Sequence, residues 1–416
     1  MHLDIHALHT VPYSNLNRDA LGSPKNTLYG GELRTRVSSQ SWKRAVRLEV
    51  EKQLEDPTLR TRHVPAAVRK VLTEAHAWDS DTARKAGRAV LVAADAAAKR
   101  RGSKEGGILP SGSADQSKVL FWVPQAAIRE LAELCTQHRE AIAATTLPAS
   151  EPADEAAAKG ARKPKAPKEP KQEPVLPTDE VNEILRRRSR SINLLGRMLA
   201  EMPGHGVDGA TLFAHAFTTH STATDFDFFT AVDDWNHTSD DEDTVSGSGH
   251  LATAEYSSGV FYRYSSVNIT DLACNLDSEG KPTPESIDEA LRIADVYLRA
   301  FVSQLPSGKQ NTTAAVTRPE FVYLAVRDQP LSLAGAFEKP VRLERGEGFA
   351  GPSRDRLDDY TGKLHGFLGT DGLHWHGHAG LETARGDGSP FASLGDHHTG
   401  LHDLITEATN HAGDHA

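Results

Sequence analysis

The stretch "RTRVSSQSWKRAVRLEV", residues 34–50, decides the fold. A short basic strand, Arg34 to Val37, runs into two serines, and the serines run into a helix. Ser38 or Ser39 caps its start, and the pattern places its end near Leu54. Trp42, Val46, Val50 and Leu54 recur every fourth residue and form the buried stripe. Lys43 and Arg47, also four apart, share a neighbouring face. Residues 34–47 hold five Lys or Arg and no Asp or Glu, in a chain of formal net charge -10. A helix start has unpaired N–H groups and a partial positive charge. Ser38, Ser39, Gln40 and Ser41 add side-chain donors there, and Lys43, Arg44 and Arg47 add full charges. The set fits a phosphate cradle. A capped amphipathic helix with a solvated basic face fits the same residues.

Composition narrows the class. The chain has 416 residues, 47 Lys and Arg against 57 Asp and Glu. That length can bury one large core or two smaller ones. Net acidity argues against a generic nucleic-acid binder but permits a local basic groove. The two cysteines, Cys135 and Cys274, match no metal or redox spacing. No apolar run is long enough to span a bilayer, and "MHLDIHALHTV" alternates where a signal peptide would be an apolar block. A cytoplasmic protein without membrane contact is the expectation.

Outward from the first helix, Leu3, Ile5 and Ala7 alternate with Asp4 and His6, which predicts a half-buried strand over 2–11. A loop rich in Asn, Gly and Pro follows, Pro12 to Gly31. Residues 57–148 read as mostly helical. Residues 149–178 are proline-rich and poor in apolar groups, so the segment reads as a disordered surface loop. A helix is expected over 179–199, strands over 207–217 and 256–268, an amphipathic helix over 283–304 and a last strand over 320–327. The order β-α-β-β-α-β is that of the ferredoxin-like fold, shared by RNA-recognition-motif domains. The fold class is α+β, with two large insertions.

Two further stretches could carry chemistry. In "DFDFFTAVDDW", residues 225–235, Phe226 and Phe228 alternate with Asp225 and Asp227, and Phe229 makes an adjacent aromatic pair. On a projecting hairpin such a pair could wedge between bases or stack on them; packing into the core is the alternative. No Lys or Arg lies between Arg197 and Arg263, so this insertion cannot clamp phosphates by charge. The tail holds "HWHGH", residues 374–378, with further histidines at 397, 398, 402, 411 and 415. No cysteine or regular ligand spacing supports a zinc site, and a mobile histidine-rich tail is expected. Phosphate-loop, dinucleotide and nucleophile-elbow patterns are missing.

Several stretches together resemble one family. "LNRD" (16–19), "LYGGELRTRVSSQSWKRAVR" (28–47), "GRM" (196–198), "AHAFTTHSTATDFDFFTAVDD" (214–234), "EYSSGVFYRYSSVNI" (255–269) and "AFEKPV" (336–341) are similar to the CasC family, the backbone subunit of type I-E CRISPR Cascade. The resemblance implies a hand. A ferredoxin-like, RRM-like palm takes residues 1–55, 206–216 and 257–345. A helical fingers insertion takes 56–205, a β-hairpin thumb 217–256, and a C-terminal region with the histidine-rich tail 346–416. Copies, about six in a complex of this kind, would lie side by side along one crRNA. With the other Cascade subunits they would present the guide for pairing with target DNA.

The resemblance also implies the site residues. Asn17, Arg18, Lys25, Arg34, Arg36, Ser38, Ser39, Gln40, Lys43, Arg44, Arg47, Met198 and His220 fall where the guide is contacted. Phe228 and Phe229 fall at the thumb wedge. No catalytic residue, cofactor or metal is implied. One departure is Asn311 in "SGKQNTTAAV", where family members can carry arginine. Related type III backbone proteins cleave target RNA with an aspartate in the loop before this helix. Here that loop offers only Asp19 and Glu32, and Asp19 reads as ordering the loop.

Overall fold

The expected helix begins where its cap allows. Ser38 has an extended backbone and its Oγ accepts the Ser41 amide, so the helix runs Ser39–Gln53. Trp42, Val46 and Val50 are fully buried, and Leu54 nearly so. The structure is a computed structural model. It describes all residues except 103–106, 110–115, 148–172, 232–249, 344–347 and 382–389.

In chain order, β1 (His2–Ser14), β2 (Asn26–Tyr29), β3 (Glu32–Val37) and α1 (Ser39–Gln53) come first. Then follow β4 (Thr58–Thr61), α2 (Val64–Ala75), α3 (Ser80–Arg100), β5 (Phe121–Pro124), α4 (Gln125–Gln137), α5 (Arg139–Ala143), α6 (Thr178–Arg186) and α7 (Arg190–Leu195). Next are β6 (Thr211–Phe213), β7 (Ala216–Thr218), β8 (Asp225–Ala231), β9 (His250–Asn268), α8 (Ile269–Leu276) and α9 (Pro284–Ser303). Last are α10 (Gln310–Thr313), β10 (Phe321–Arg327), α11 (Ala350–Leu368), β11 (Leu373–Gly380), β12 (Asp396–His398) and α12 (Leu401–Asp414). The chain forms two compact units, one of Met1–Leu54 with Ala210–Ala416, the other of Glu55–Gly209. Among the described residues no helix is long and apolar enough to cross a membrane.

The first unit is built on a mixed sheet of order β12-β11-β10-β1-β9-β7-β3-β2, with β6 and β8 also paired to β9. Only β11 and β12 are parallel neighbours. β1 lies between β9 and β10, antiparallel to both. On one face Trp42 of α1 packs with Val11, Val37, Phe261 and Leu305. On the other, Tyr262, Tyr264, Phe321 and Tyr323 pack with Leu333, Phe337 and Leu357. α9 starts as its sequence dictates: Thr283 and Ser286 form a reciprocal capping box and Pro284 follows the cap.

β1 departs from the half-buried reading. Asp4 and His6 are as buried as Leu3 and Ile5, because both faces of this central strand are covered. Polar groups there need partners inside the protein. The Tyr264 hydroxyl donates to Asp4 Oδ1 at 3.2 Å and the Leu331 amide to Asp4 Oδ2 at 2.9 Å. His6 Nδ1 lies 2.9 Å from the Tyr262 hydroxyl.

Other expectations need correcting. The strand over 207–217 is two short strands, β6 and β7. β10 is not the last strand. Residues 373–380 form β11 against β10, and 401–414 form α12. The histidine-rich tail is therefore part of the sheet and its cover. The loop expected over 149–178 is described only from 173, and there Leu176 is buried and Thr178 starts α6. Residues 149–172 of that loop and the acidic run within 232–249 lie outside the described residues.

The second unit is mainly helical. α3 is buried almost all round through alanines, with Ala83, Ala86, Val90 and Ala94 facing Val68, Leu72, Ile128, Leu131 and Val181. Small side chains let its neighbours come close. A Cβ on Gly87 would lie 2.6 Å from the Pro65 carbonyl oxygen. The helix expected over 179–199 is two: α6 ends at Arg186 and α7 starts at Arg190.

Candidate nucleic-acid interface

Three elements of the first unit converge at the start of α1: the 16–25 loop, the end of β3 and the residues before β7. Asn17 Oδ1 accepts the Ser38 amide at 2.9 Å. Asn17 and Lys25 are joined through the main chain, as are Lys25 and Arg36. Asp19 Oδ1 accepts the Leu21 and Ser23 amides at 2.8 and 3.0 Å, which is the loop-ordering role its sequence context suggests. His215 Nδ1 accepts the Ser39 amide at 2.9 Å. Burial, then the charges of Arg36 and Lys25, push the His215 pKa down, so the ring is the neutral acceptor this bond requires.

The free helix start expected from sequence is therefore mostly occupied. The Ser38, Ser39 and Ser41 amides already have acceptors in the protein. Of the first turn's amides, that of Gln40 remains, and Gln40 itself is exposed. Anion binding here rests on side-chain cations more than on the helix dipole. Arg18 and Arg44 are exposed, and Lys25, Arg36 and Lys43 partly so. None of these five has a carboxylate partner among the described residues. Burial pushes the Lys43 pKa down from its ordinary value.

Arg18 and Arg44 each line one of two concave sites. One, of about 570 Å³, is lined by Leu16 to Gly22 and Gly308. The next, of about 420 Å³, is lined by Ser41, Arg44, Ala45, Leu48, Glu49 and Lys52 of α1 and by Gln304 to Gly308 and Gln310; Glu49 accepts the Gln53 side-chain amide. Gly308 belongs to both, so they form one groove that runs along α1 from Ser41 to Lys52. A Cβ on Gly308 would lie 2.4 Å from the Leu16 carbonyl oxygen, which makes glycine the only residue that fits there.

Four predicted contacts have other employment. Arg34 is fully buried, and its guanidinium donates to the carbonyls of Thr218, Phe337 and Glu338 at 2.9, 3.1 and 3.4 Å. It has no face left for a phosphate. Ser38 is buried as the cap. His220 is buried and stacked on Phe349, with ring centroids 3.6 Å apart. Its Nδ1 faces the Ser221 carbonyl and its Nε2 accepts the Val260 amide. Arg47 is paired with Glu51 at 2.7 Å. Ser39 stays partly exposed at the groove's edge.

β9 continues past the sheet. Beyond Ser257 it leaves β1 and pairs with β8, from Asp225 opposite Tyr256 to Ala231 opposite His250. On β8, Phe226, Phe228 and Phe229 are 71%, 64% and 44% exposed. These rings are not in the core, and Phe226, left out of the predicted wedge, is the most exposed of the three. Met198, on the second unit, is 91% exposed. The tail histidines are separately engaged: His374 with Asp328, His376 with the Tyr323 hydroxyl and His378 with the Leu394 carbonyl. Among the described residues no group of three His, Cys, Asp or Glu could hold a metal.

Sequence reasoning missed His215, Lys52 and Lys309. His215 sits inside a family-like stretch but carries no local signal. Lys309, in left-handed backbone with φ 55°, precedes Asn311 on the segment that borders the groove.

A solved chain from a "CRISPR RNA-guided surveillance complex, pre-nicking" is 39% identical and superposes with TM-score 0.80, covering 99% of this chain and 100% of its own. Another, from a "CRISPR RNA-guided surveillance complex", is 35% identical with TM-score 0.71 and covers 99% of each. A search of curated proteins finds no match. A family profile matches residues 3–406, so nearly the whole of the two units and the groove fall inside it, and the chain belongs to the CT1975-like protein family.

Proposed function

We propose that this chain is a crRNA-binding backbone subunit of a type I-E CRISPR surveillance complex, with no catalytic role of its own. Copies line up side by side along one guide in the cytoplasm, and together with other subunits they present it to target DNA. The observation that carries this is the groove along α1, lined by Arg18, Arg44 and Lys52, which have no carboxylate partner among the described residues. Contacts of that kind hold a sugar-phosphate chain in register without reading its sequence, which a subunit serving any guide requires.

The rest of the hand follows the same reading. β1, α1, β7, β9, α9 and β10 form the ferredoxin-like palm, a reading supported by the sheet order β10-β1-β9-β7. Residues 56–205 are the fingers, and 217–256 the thumb, whose exposed phenylalanines wedge beside a displaced base. The RNA-cleaving alternative needs a free carboxylate in the loop before α1. Asp19 Oδ1 is taken by two amides, which favours the scaffold.

The test is to purify the chain with its co-expressed partners and sequence the bound RNA, then repeat with Lys43→Ala and Arg44→Ala combined. Short repeat-spacer transcripts are expected with the parent protein. The variant is expected to bind guides more weakly whatever their spacer, with the salt slope reduced by about 0.7 for each phosphate no longer neutralised. Unchanged affinity and slope would sink the groove assignment.

A further inference from the structure

First-turn amides of a helix are ordinarily accepted by Ser, Thr, Asn or Asp from the chain just before it. At α1 the Ser39 amide donates instead to an imidazole from a distant part of the chain, His215 Nδ1, at 2.9 Å. The sheet fixes this placement. β3 and β7 are antiparallel, with Arg36 opposite Phe217 and Val37 opposite Ala216. Continued one step, where β3 gives way to α1, the same register brings His215 to the helix start. Ala216 is buried with Val37 and Trp42, so the main chain that carries the ring is anchored in the core.

Only the neutral ring supports this bond. Nδ1 must be bare to accept, so the ring's proton sits on Nε2. His215 is exposed, and a proton from solvent reaches Nδ1 without any part of the fold opening. Once Nδ1 carries it, two donors face each other and the bond is lost. The surroundings oppose that step in the free chain. Partial burial lowers the pKa first, then Arg36 of β3 and Lys25 of the loop before β2 lower it further. α1 brings no charge to its start before Lys43, and His215 has no carboxylate partner among the described residues.

An anion reverses this balance. A phosphate near Arg36 and Lys25 offsets the field that keeps the ring neutral, and it favours the imidazolium directly. Protonation then helps the anion twice. It adds a cation beside the groove, and it releases the Ser39 amide next to that of Gln40. We propose that His215 is a positioning residue that couples strand binding at α1 to uptake of a proton: neutral and bonded to Ser39 in the free chain, cationic and released from it when an RNA phosphate lies at the helix start. Asparagine in this place would also accept the amide; histidine gives the acceptor up near neutral pH. The inference rests on the reading of the groove as a guide-RNA site and adds a proton to that equilibrium.

The test measures binding of the full chain to labelled oligouridylate, whose base does not titrate in this range, at fixed salt from pH 6 to pH 8. Below both pKa values, affinity gains about tenfold for each unit by which bound RNA raises that of the imidazole. The parent is expected to bind several-fold tighter at pH 6 than at pH 8. Calorimetry in buffers of different ionisation enthalpy is expected to record proton uptake on binding. His215→Asn keeps an acceptor for Ser39 and cannot titrate, so its ratio of affinities at the two pH values should fall close to one and its proton uptake should vanish. In the parent, the Ser39 amide resonance is expected to follow the titration of the His215 ring, and oligouridylate to move that titration to higher pH. A ring titration that RNA leaves in place overturns the proposal, and so does the same pH ratio in parent and variant. Binding with a flat pH profile rejects the proton coupling and keeps the groove. A parent that binds no oligouridylate at any pH overturns the groove reading and this proposal with it.

Discussion

Replacing Arg197 by methionine tests the physical core of the second unit. Methionine keeps much of the aliphatic volume but no donor. The carbonyls of Trp122, Leu185, Arg186, Arg187 and His205, 2.9 to 3.5 Å from the Arg197 guanidinium, then lose their partner, and the end of α6 loses its compensating charge. Each bond to a charged donor contributes about 1.5–3 kcal/mol net to stability when taken singly. Their sum overstates the loss, because burying the guanidinium costs desolvation and burying methionine does not. Breaking a buried charged network from one side costs about 3–5 kcal/mol, and the relieved desolvation places this case near the lower end, about 3 kcal/mol. Arg197→Lys keeps the charge but not the planar fork, so it is expected to lose about half as much. Hydrogen exchange of the amides over 185–207 reads the effect in the unit itself. A loss of about 3 kcal/mol speeds exchange on the order of a hundredfold. Exchange rates within threefold of the parent, or equal losses for methionine and lysine, would refute the reasoning.

Three further outcomes follow from the geometry. Phe228→Ala with Phe229→Ala is expected to disturb guide spacing or target pairing while costing well under the ~3–5 kcal/mol of a core phenylalanine truncation; a loss of that size on thermal melting would return the rings to a packing role. Asn17→Ala removes the acceptor of the Ser38 amide and should cost about 1 kcal/mol, with faster exchange at Ser38; an unchanged rate there would mean the loop is held otherwise. Stability should fall as pH drops from about 6.5 towards 4. Burial holds His205 and His376 near pKa 4 and His6 and His9 well below 6.5, so the unfolded chain binds more protons across that window. Asp4, raised to about 6 by burial, acts in the opposite sense below pH 6, one carboxyl against four imidazoles. A melting temperature at pH 5 equal to or above that at pH 7.5 would contradict this.

What the sequence discloses is what local periodicity and capping control. α1 shows its cap, its stripe and its end, and α9 shows its capping box. Strand β1 is visible as a strand but not as a central one, because alternation reports apolar positions and says nothing about polar residues sealed under tyrosines. Asp4 and His6 belong inside only because Tyr262 and Tyr264 arrive from more than 250 residues away in sequence. The break between α6 and α7 is likewise invisible, since its cause is a guanidinium ten residues on. The histidine-rich tail misleads in the opposite way. Its composition suggests mobility, yet Trp375, Gly377 and Ala379 supply a buried face once β10 offers an edge.

The resemblance that points to Arg34 as a guide contact also shows how a basic residue near the ligand can be misread. Arg34, Arg197 and Arg263 are all buried, and all three donate to main-chain carbonyls, with aromatic rings beside Arg34 and Arg263. Arg263 lies between Trp42 and Phe301, 3.7 and 4.3 Å from their centroids, and donates to the Phe301 carbonyl. Each braces a binding surface: Arg34 the strand entering α1, Arg263 the buried face of α1 under Trp42, Arg197 the segment carrying Met198. If the chain binds RNA as proposed, removing any of them is expected to weaken that binding by misplacing the surface, and so to mimic removal of a phosphate ligand. The salt series separates the two cases. A phosphate left without its cation flattens the slope and leaves the fold alone. A missing brace lowers affinity together with thermal stability, and the molecules that remain folded keep the parent slope.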